Sequence, residues 1–249
     1  ITYPYELPGG SSATNSLATL THPTPAVWEL ELHNGVDNRF TRDMISSCLD
    51  ALDQVEKDWR STPNAPGALI IVGSKKQEKF FSNGLDYENA IKDATFVWTA
   101  HDPWLKRLLG FPIPIICAMN GHTFAFGFIT ALACDYRIMT TGRAWASMNE
   151  VFFGAALAAS VNAIMNYKLP PKTVRKTILE GHRWTAQELL AAGIIDEVAQ
   201  GTAGVVKAAH DMAQQKADLA KSGAFGLIKK ELARKVIEAV ERSDRPIKV

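Results

Sequence analysis

Cysteine is scarce: Cys48, Cys117 and Cys134 are the only three in 249 residues, and no two form a CxxC pair. An odd, sparse count inside apolar or helical patterns excludes a disulfide framework and points to buried thiols in a reducing compartment. Charge of one sign is lacking too. Twenty-seven Lys and Arg balance 26 Asp and Glu, a formal net charge of +1. No global field therefore draws nucleic acid or an anionic membrane, and an anionic ligand must be met by local groups. No apolar run approaches the roughly 20 residues that span a bilayer. HExxH and related ligand sets are missing, so no catalytic metal is expected. There is no phosphate loop of the GxxxxGK type and no GxGxxG after a strand, so nucleotide recognition must come from other contacts. No GxSxG elbow surrounds Ser147, which makes it no convincing nucleophile. The chain begins at Ile1 rather than Met, as a trimmed chain would, and its ends are therefore not read for targeting signals. Internal repeats and low-complexity segments are absent.

What is present reads as an ordinary globular composition, 47% apolar and 21% charged. The length suits one large domain or a domain with an appendage. Residues 1–25 are rich in Pro, Gly, Ser and Thr and read as an irregular N-terminal arm. Ala26 to His33 alternates like a strand, and Asn34 to Asn38 reads as a turn. Thr41 can cap a helix running to about Trp59, with Met44, Ile45, Cys48, Leu49, Leu52 and Val55 on one face. Ala68 to Gly73 and Pro112 to Met119 are continuous apolar runs, as expected for strands buried on both faces. Asp86 to Leu109 looks mainly helical, interrupted near Asp102-Pro103. A small-residue helix over Gly127 to Cys134 leads to a strand at Tyr136 to Thr140. This order of strand and helix predicts right-handed crossovers and a mainly parallel sheet. From Ala155 onward no strong strand is evident. Thr185-Ala186-Gln187-Glu188 is a capping box opening a short helix, and Gly204 to Leu219 and Gly223 to Glu241 are amphipathic helical stretches.

Two segments carry the chemistry. Phe80-Phe81-Ser82-Asn83-Gly84-Leu85-Asp86 and Asn120-Gly121-His122-Thr123-Phe124-Ala125-Phe126-Gly127-Phe128 each pass from a strand-like run through a glycine turn into a helix-like segment. Each leaves unpaired backbone N–H groups at a helix start, and two such groups aimed at one point would hold a developing oxyanion. Glu150 follows in Ser147-Met148-Asn149-Glu150-Val151. Its neighbours Trp145, Met148, Val151, Phe152 and Phe153 are apolar, so desolvation is expected to raise its pKa and suit it to proton transfer near neutral pH. Together these features suggest enolate chemistry on an acyl thioester. His122, inside the second segment, is expected to order that loop by hydrogen bonding rather than to act as a base.

On these residues the chain resembles the crotonase superfamily, the enoyl-CoA hydratases and isomerases. The matches are Phe81 to Asp86, Met119-Asn120-Gly121 to Asp135, Glu150 with Gly154 four residues on, and Gly181 to Val198. They cover about residues 26–240. Gly121-His122, Gly127-Phe128-Ile129 and Ser147 to Val151 look most like the plant and fungal Δ3,Δ2-enoyl-CoA isomerases. The resemblance implies an α/β fold, a ClpP-like spiral of ββα units over residues 26–200, with a C-terminal helical trimerisation region over 201–249. It also implies that the main-chain N–H groups of Leu85 and Phe126 bind the thioester oxygen, with Glu150 as the proton shuttle. One departure stands out: the family has small residues where this chain has Ala125, Phe126 and Gly127, and the Phe126 ring is expected to shape the acyl pocket.

By the same resemblance, hydratases use two glutamates, one of which aligns with Glu150. The other position is filled here by Ile129, which cannot hold or deprotonate water. Double-bond migration from 3-enoyl-CoA to 2-enoyl-CoA, in the β-oxidation of unsaturated fatty acids, is thus favoured over hydration. The alternatives kept open are a hydratase or specialised secondary-metabolic enzyme of this superfamily, and an acyl-CoA-binding protein without turnover. Phe81, Ser82, Gly84 and Leu85 are expected to line the CoA channel. Phe153 is placed among the substrate-binding residues. Lys229, one turn after Phe225, is the candidate cation for the CoA diphosphate, which relatives often supply from a neighbouring subunit. No cofactor beyond the CoA of the substrate is expected. The expected partner is an acyl-CoA thioester, with no nucleic acid or membrane, in a homotrimer or hexamer. A peroxisomal location is favoured, with mitochondrial and cytoplasmic ones left open; Ile247-Lys248-Val249 is not an S-K-L ending.

Overall fold

The computed structural model describes residues 2–8 and 16–242. The parts of the N-terminal arm and C-terminal region that fall at residues 1, 9–15 and 243–249, including the final tripeptide, lie outside the described residues. Among the described residues ten strands form two sheets: β1 (Tyr5–Pro8), β2 (Ser16–Thr24), β3 (Val27–Leu32), β4 (Ala68–Gly73), β5 (Phe80–Ser82), β6 (Ile115–Met119), β7 (His122–Phe124), β8 (Tyr136–Thr141), β9 (Ala146–Ser147) and β10 (Glu197–Gln200). The large sheet has the order β1-β2-β3-β4-β6-β8-β10, and the small one β5-β7-β9. From β3 to β10 all neighbouring pairs of the large sheet are parallel, and so are both pairs of the small one. The chain thus runs β4 then β5, β6 then β7, β8 then β9, placing one strand in each sheet per turn. This is the expected spiral of ββα units.

Burial explains the continuous apolar runs. Leu69 and Ile71 of β4 face one core, shared with Leu30, Ile115, Cys117 and Met119 and with the helix Arg42–Arg60. Ala68, Ile70 and Val72 face the other, against Val205, Ala209 and Ala213 of the helix Gly201–Lys216. A strand covered on both sides needs no polar residues. Fully burying each such Val, Leu or Ile contributes about 1.5–3 kcal/mol. The helix Arg42–Arg60 starts where Thr41 Oγ1 accepts from Met44 N at 3.2 Å. The Thr185–Glu188 capping box is formed in both directions, and all three cysteines are free and buried.

Four expectations are corrected. The segment read as an irregular arm contributes β1 and β2: β1 pairs antiparallel with β2, and β2 antiparallel with β3. Ala18 and Leu20 point into the core, and Pro8 and Pro23 lie at or next to the ends of β1 and β2, where a missing N–H is tolerated. The helical stretch after Asp86 breaks at residues 91–95, not at Asp102-Pro103, because Pro103 falls in the first turn of the helix Asp102–Leu109, where its absent N–H costs nothing. β10 adds a strand after Ala155, held by parallel pairing to β8 rather than by burial. The helix Gly201–Lys216, assigned to the C-terminal region, covers one face of the large sheet and belongs to the core.

Candidate active site

The small sheet gathers the chemistry. Its three strands are parallel, so the segments that leave their carboxyl ends emerge on one side: Asn83–Asp86 after β5, Ala125–Phe126 after β7 and Met148–Glu150 after β9. The first loop is held from both flanks. Asn83 N donates to Asp37 O (2.9 Å), Phe40 N to Gly84 O (2.8 Å) and Asp86 N to Phe40 O (3.0 Å), while Gly84 N donates to Ser82 Oγ (3.2 Å). Between these paired groups, the Leu85 N–H has no protein partner among the described residues. In the second loop Ala125 N donates to Ser147 O (2.8 Å) and Phe128 N to Ala125 O (2.9 Å). Phe126 opens the helix Phe126–Ala133, and its N–H is likewise without a protein partner among the described residues, as first-turn amides are.

The loops touch. A Cβ added to Gly84 would lie 2.8 Å from Ala125 Cβ and 3.4 Å from Phe126 N, and one added to Gly127 would lie 2.9 Å from Ser82 Cβ. Ala125 itself takes φ 50°, ψ −121°, a conformation costly for any residue with a side chain. Strain is thus concentrated on the residue before the Phe126 amide.

Beside the loops lies a cavity of about 210 Å³, whose lining includes Leu85, Phe126, Ile129, Met148, Glu150 and Phe153. Glu150 starts a 3-10 turn, Glu150–Phe152, and its Oε2 is buried without a hydrogen-bond partner. Burial pushes the carboxyl from an ordinary 4.5 up to about 7, opposed by a hydrogen bond from its own main chain. The desolvation does not come from the next two residues. On a turn with three residues per revolution Val151 and Phe152 swing outward, and they are 47% and 70% exposed. The apolar wall is made instead by Phe126, Ile129, Met148 and Ala155.

A family model described as Enoyl-CoA hydratase/isomerase matches residues 24–245. The chain belongs to this family. It is 32% identical over 206 residues to Enoyl-CoA delta isomerase 3 of Arabidopsis thaliana, covering 79% of this chain and 84% of that protein. To Enoyl-CoA delta isomerase 2, peroxisomal, of the same plant it is 29% identical over 215 residues, covering 82% and 87%. The crystal structure of an enoyl-CoA hydratase from Mycobacterium marinum superposes with a TM-score of 0.80 at 22% identity, covering 92% of this chain and 96% of that one. This last likeness speaks for the crotonase fold alone.

Within this enoyl-CoA hydratase/isomerase framework the sequence-predicted residues divide. Leu85, Phe126, Glu150 and Phe153 line the cavity together. Phe81 and Ser82 are fully buried beneath the first loop and Gly84 forms its turn at φ 86°; none of the three lines the cavity. Lys229 is remote from it on this chain. Its Nζ lies 2.7 Å from Asp135 Oδ2, and with Phe225, Tyr167 and Lys168 it borders a separate cavity of about 280 Å³. His122 Nδ1 accepts from Trp145 N at 3.1 Å, so it fixes the second loop to the strand beside it. Among the described residues no cluster of three or more His, Cys, Asp or Glu is placed to hold a metal ion.

Two groups escaped the sequence reading. Asn38, at φ 49°, is buried and donates to Leu32 O (2.9 Å) and Phe81 O (2.7 Å), tying the end of β3 to β5. The Asn34 to Asn38 turn signal marked its position but not its reach. His101 lines the cavity. Its pattern, a His beside an Asp and a Pro, read only as a helix break.

Proposed function

We propose that this chain is a Δ3,Δ2-enoyl-CoA isomerase. The thioester oxygen sits between the Leu85 and Phe126 N–H groups, which stabilise it most as enolate charge develops. Glu150 removes a proton from C2 and electrons shift toward the thioester. The same carboxyl returns that proton to C4, and the double bond moves from C3–C4 to C2–C3. One group can take and return the proton because its burial-raised pKa of about 7 leaves both forms populated near neutrality. The carrying observation is the unpaired Oε2 of Glu150 on the wall it shares with Leu85 and Phe126. Ile129 on the same wall supplies no second carboxylate for splitting water. The Arabidopsis relatives named as enoyl-CoA delta isomerases support the same reading.

The proposed chemistry draws on no cofactor beyond the CoA of the substrate, and its setting is β-oxidation of unsaturated acyl chains. A peroxisomal location is supported by a relative named as peroxisomal. Homotrimer formation is supported by Leu227, Ile228 and Leu232, apolar yet 60–73% exposed on one C-terminal helix. Phe81, Ser82 and Gly84 shape the CoA channel from beneath the loop. Lys229 reaches CoA by leaving Asp135 or by serving a neighbouring subunit. Incubation with 3-enoyl-CoA and, separately, 2-enoyl-CoA tests the assignment. Isomerised product is expected; a hydrated product, or binding without conversion, would replace it.

A further inference from the structure

His101 and Asp102 form a buried pair that the proton shuttle does not use. His101 Nδ1 lies 2.7 Å from Asp102 Oδ1, and the two side chains are 3% and 5% exposed. His101 ends a π-helical turn, Val97–His101, a rare geometry that concentrates at functional sites. Its ring packs on Phe126 with centroids 4.5 Å apart and forms part of the wall of the cavity holding Glu150. No protein group pairs with Nε2 among the described residues. Asp102 Oδ2 is buried without a partner, so among the described residues this carboxylate has His101 as its one hydrogen-bonded neighbour.

Asp102 settles which ring nitrogen is free. With Nδ1–H donated to the carboxylate, Nε2 is an acceptor in the neutral ring and a donor in the imidazolium. Buried polar atoms in native proteins are nearly always paired. A plain hydrocarbon chain filling this cavity would strip water from Nε2 and give nothing back. A hydroxyl can pair with either form of the ring. A site built to bond a hydroxyl discriminates against the analogue that lacks it, because its own polar group is then left unpaired.

We propose that His101, oriented by Asp102, is a specificity-determining residue that hydrogen-bonds a hydroxyl on the acyl chain, so that this pocket prefers hydroxylated acyl thioesters to plain hydrocarbon ones. This rests on reading the cavity as the acyl site. The test is calorimetric titration of the protein with hexanoyl-CoA and with 4-, 5- and 6-hydroxyhexanoyl-CoA. At least one hydroxylated ligand is expected to bind about tenfold or more tightly than hexanoyl-CoA. In His101→Phe that preference should fall to within about twofold, with hexanoyl-CoA bound as well or better. His101→Gln keeps volume and a hydrogen-bonding group, guards against a folding defect, and should retain part of the preference. The proposal is overturned if hexanoyl-CoA matches every hydroxylated ligand in the unaltered protein. It is equally overturned if the preference survives in His101→Phe, or if both variants lose only thermal stability. Failure of all four ligands to bind would instead overturn the acyl-site reading, and this proposal with it.

Discussion

Replacing Glu150 by Gln should uncouple stability from activity, with a sign that depends on pH. Burial raises the carboxyl from 4.5 to about 7, so the folded chain holds this proton more tightly than the unfolded one. The stability it contributes is full below about pH 4.5 and is lost as pH rises through about 7. At about 1.4 kcal/mol per tenfold change in proton affinity the loss is about 3 kcal/mol, and the partial exposure of the residue reduces it to about 2 kcal/mol. Gln carries no charge, but its unpaired amide costs about 1 kcal/mol. The variant should therefore melt about 2–4 °C above the parent at pH 8 and about 2–4 °C below it at pH 4.5. Isomerisation of 3-enoyl-CoA, followed by absorbance of the conjugated product, should fall about 10²–10⁴-fold in kcat, while affinity for a saturated acyl-CoA holds. A melting difference that stays constant from pH 4.5 to 8 would remove the desolvated carboxylate from the account. Near-normal turnover would remove Glu150 from the mechanism.

In the unaltered protein, kcat/KM for 3-enoyl-CoA should climb about tenfold per pH unit below about 7 and level off above it, because in the proposed mechanism only ionised Glu150 accepts the C2 proton; a flat profile from pH 5 to 8 contradicts this. Gly127→Ala would bring a methyl to 2.9 Å from Ser82 Cβ and 3.0 Å from Ser82 O. It should part the loops and cost about 10²–10³ in kcat, the price of one oxyanion donor, and unchanged kinetics would mean that the loops absorb the methyl. Thr185→Ala breaks the capping box and should lower stability by about 1 kcal/mol, read as a Tm drop of about 2–4 °C with the kinetics of the proposed isomerisation intact.

How far the sequence could be read follows from which forces acted locally. The strands at Ala68–Gly73 and Ile115–Met119 were legible because burial on both faces removes every polar residue. The helix beginning after Thr41 was legible because cap and apolar stripe agree. β7 and β9, with three and two residues, are too short to show alternation and exist because β5 and its neighbours pair with them. β1 and β2 were hidden by proline and threonine, whose composition reads as loop until β3 is there to pair with. At the site, Glu150 and the two loops could be placed by motif. The surroundings of Glu150 could not, because the rotation of the 3-10 turn sends Val151 and Phe152 to solvent. His101 was out of reach altogether: a π-turn follows no period that a sequence window can detect, and only tertiary packing brings the residue beside Phe126 on the cavity wall.

The contact between Gly84 and Ala125 has a consequence for redesign. Two stretches of chain far apart in the sequence share one gap whose width neither sets alone. Bulk gained on one side must be given up on the other, so positions 84 and 125 should be altered as a pair. A loop transplanted singly from another member of the family would arrive with the wrong spacing, however well it suited its original host.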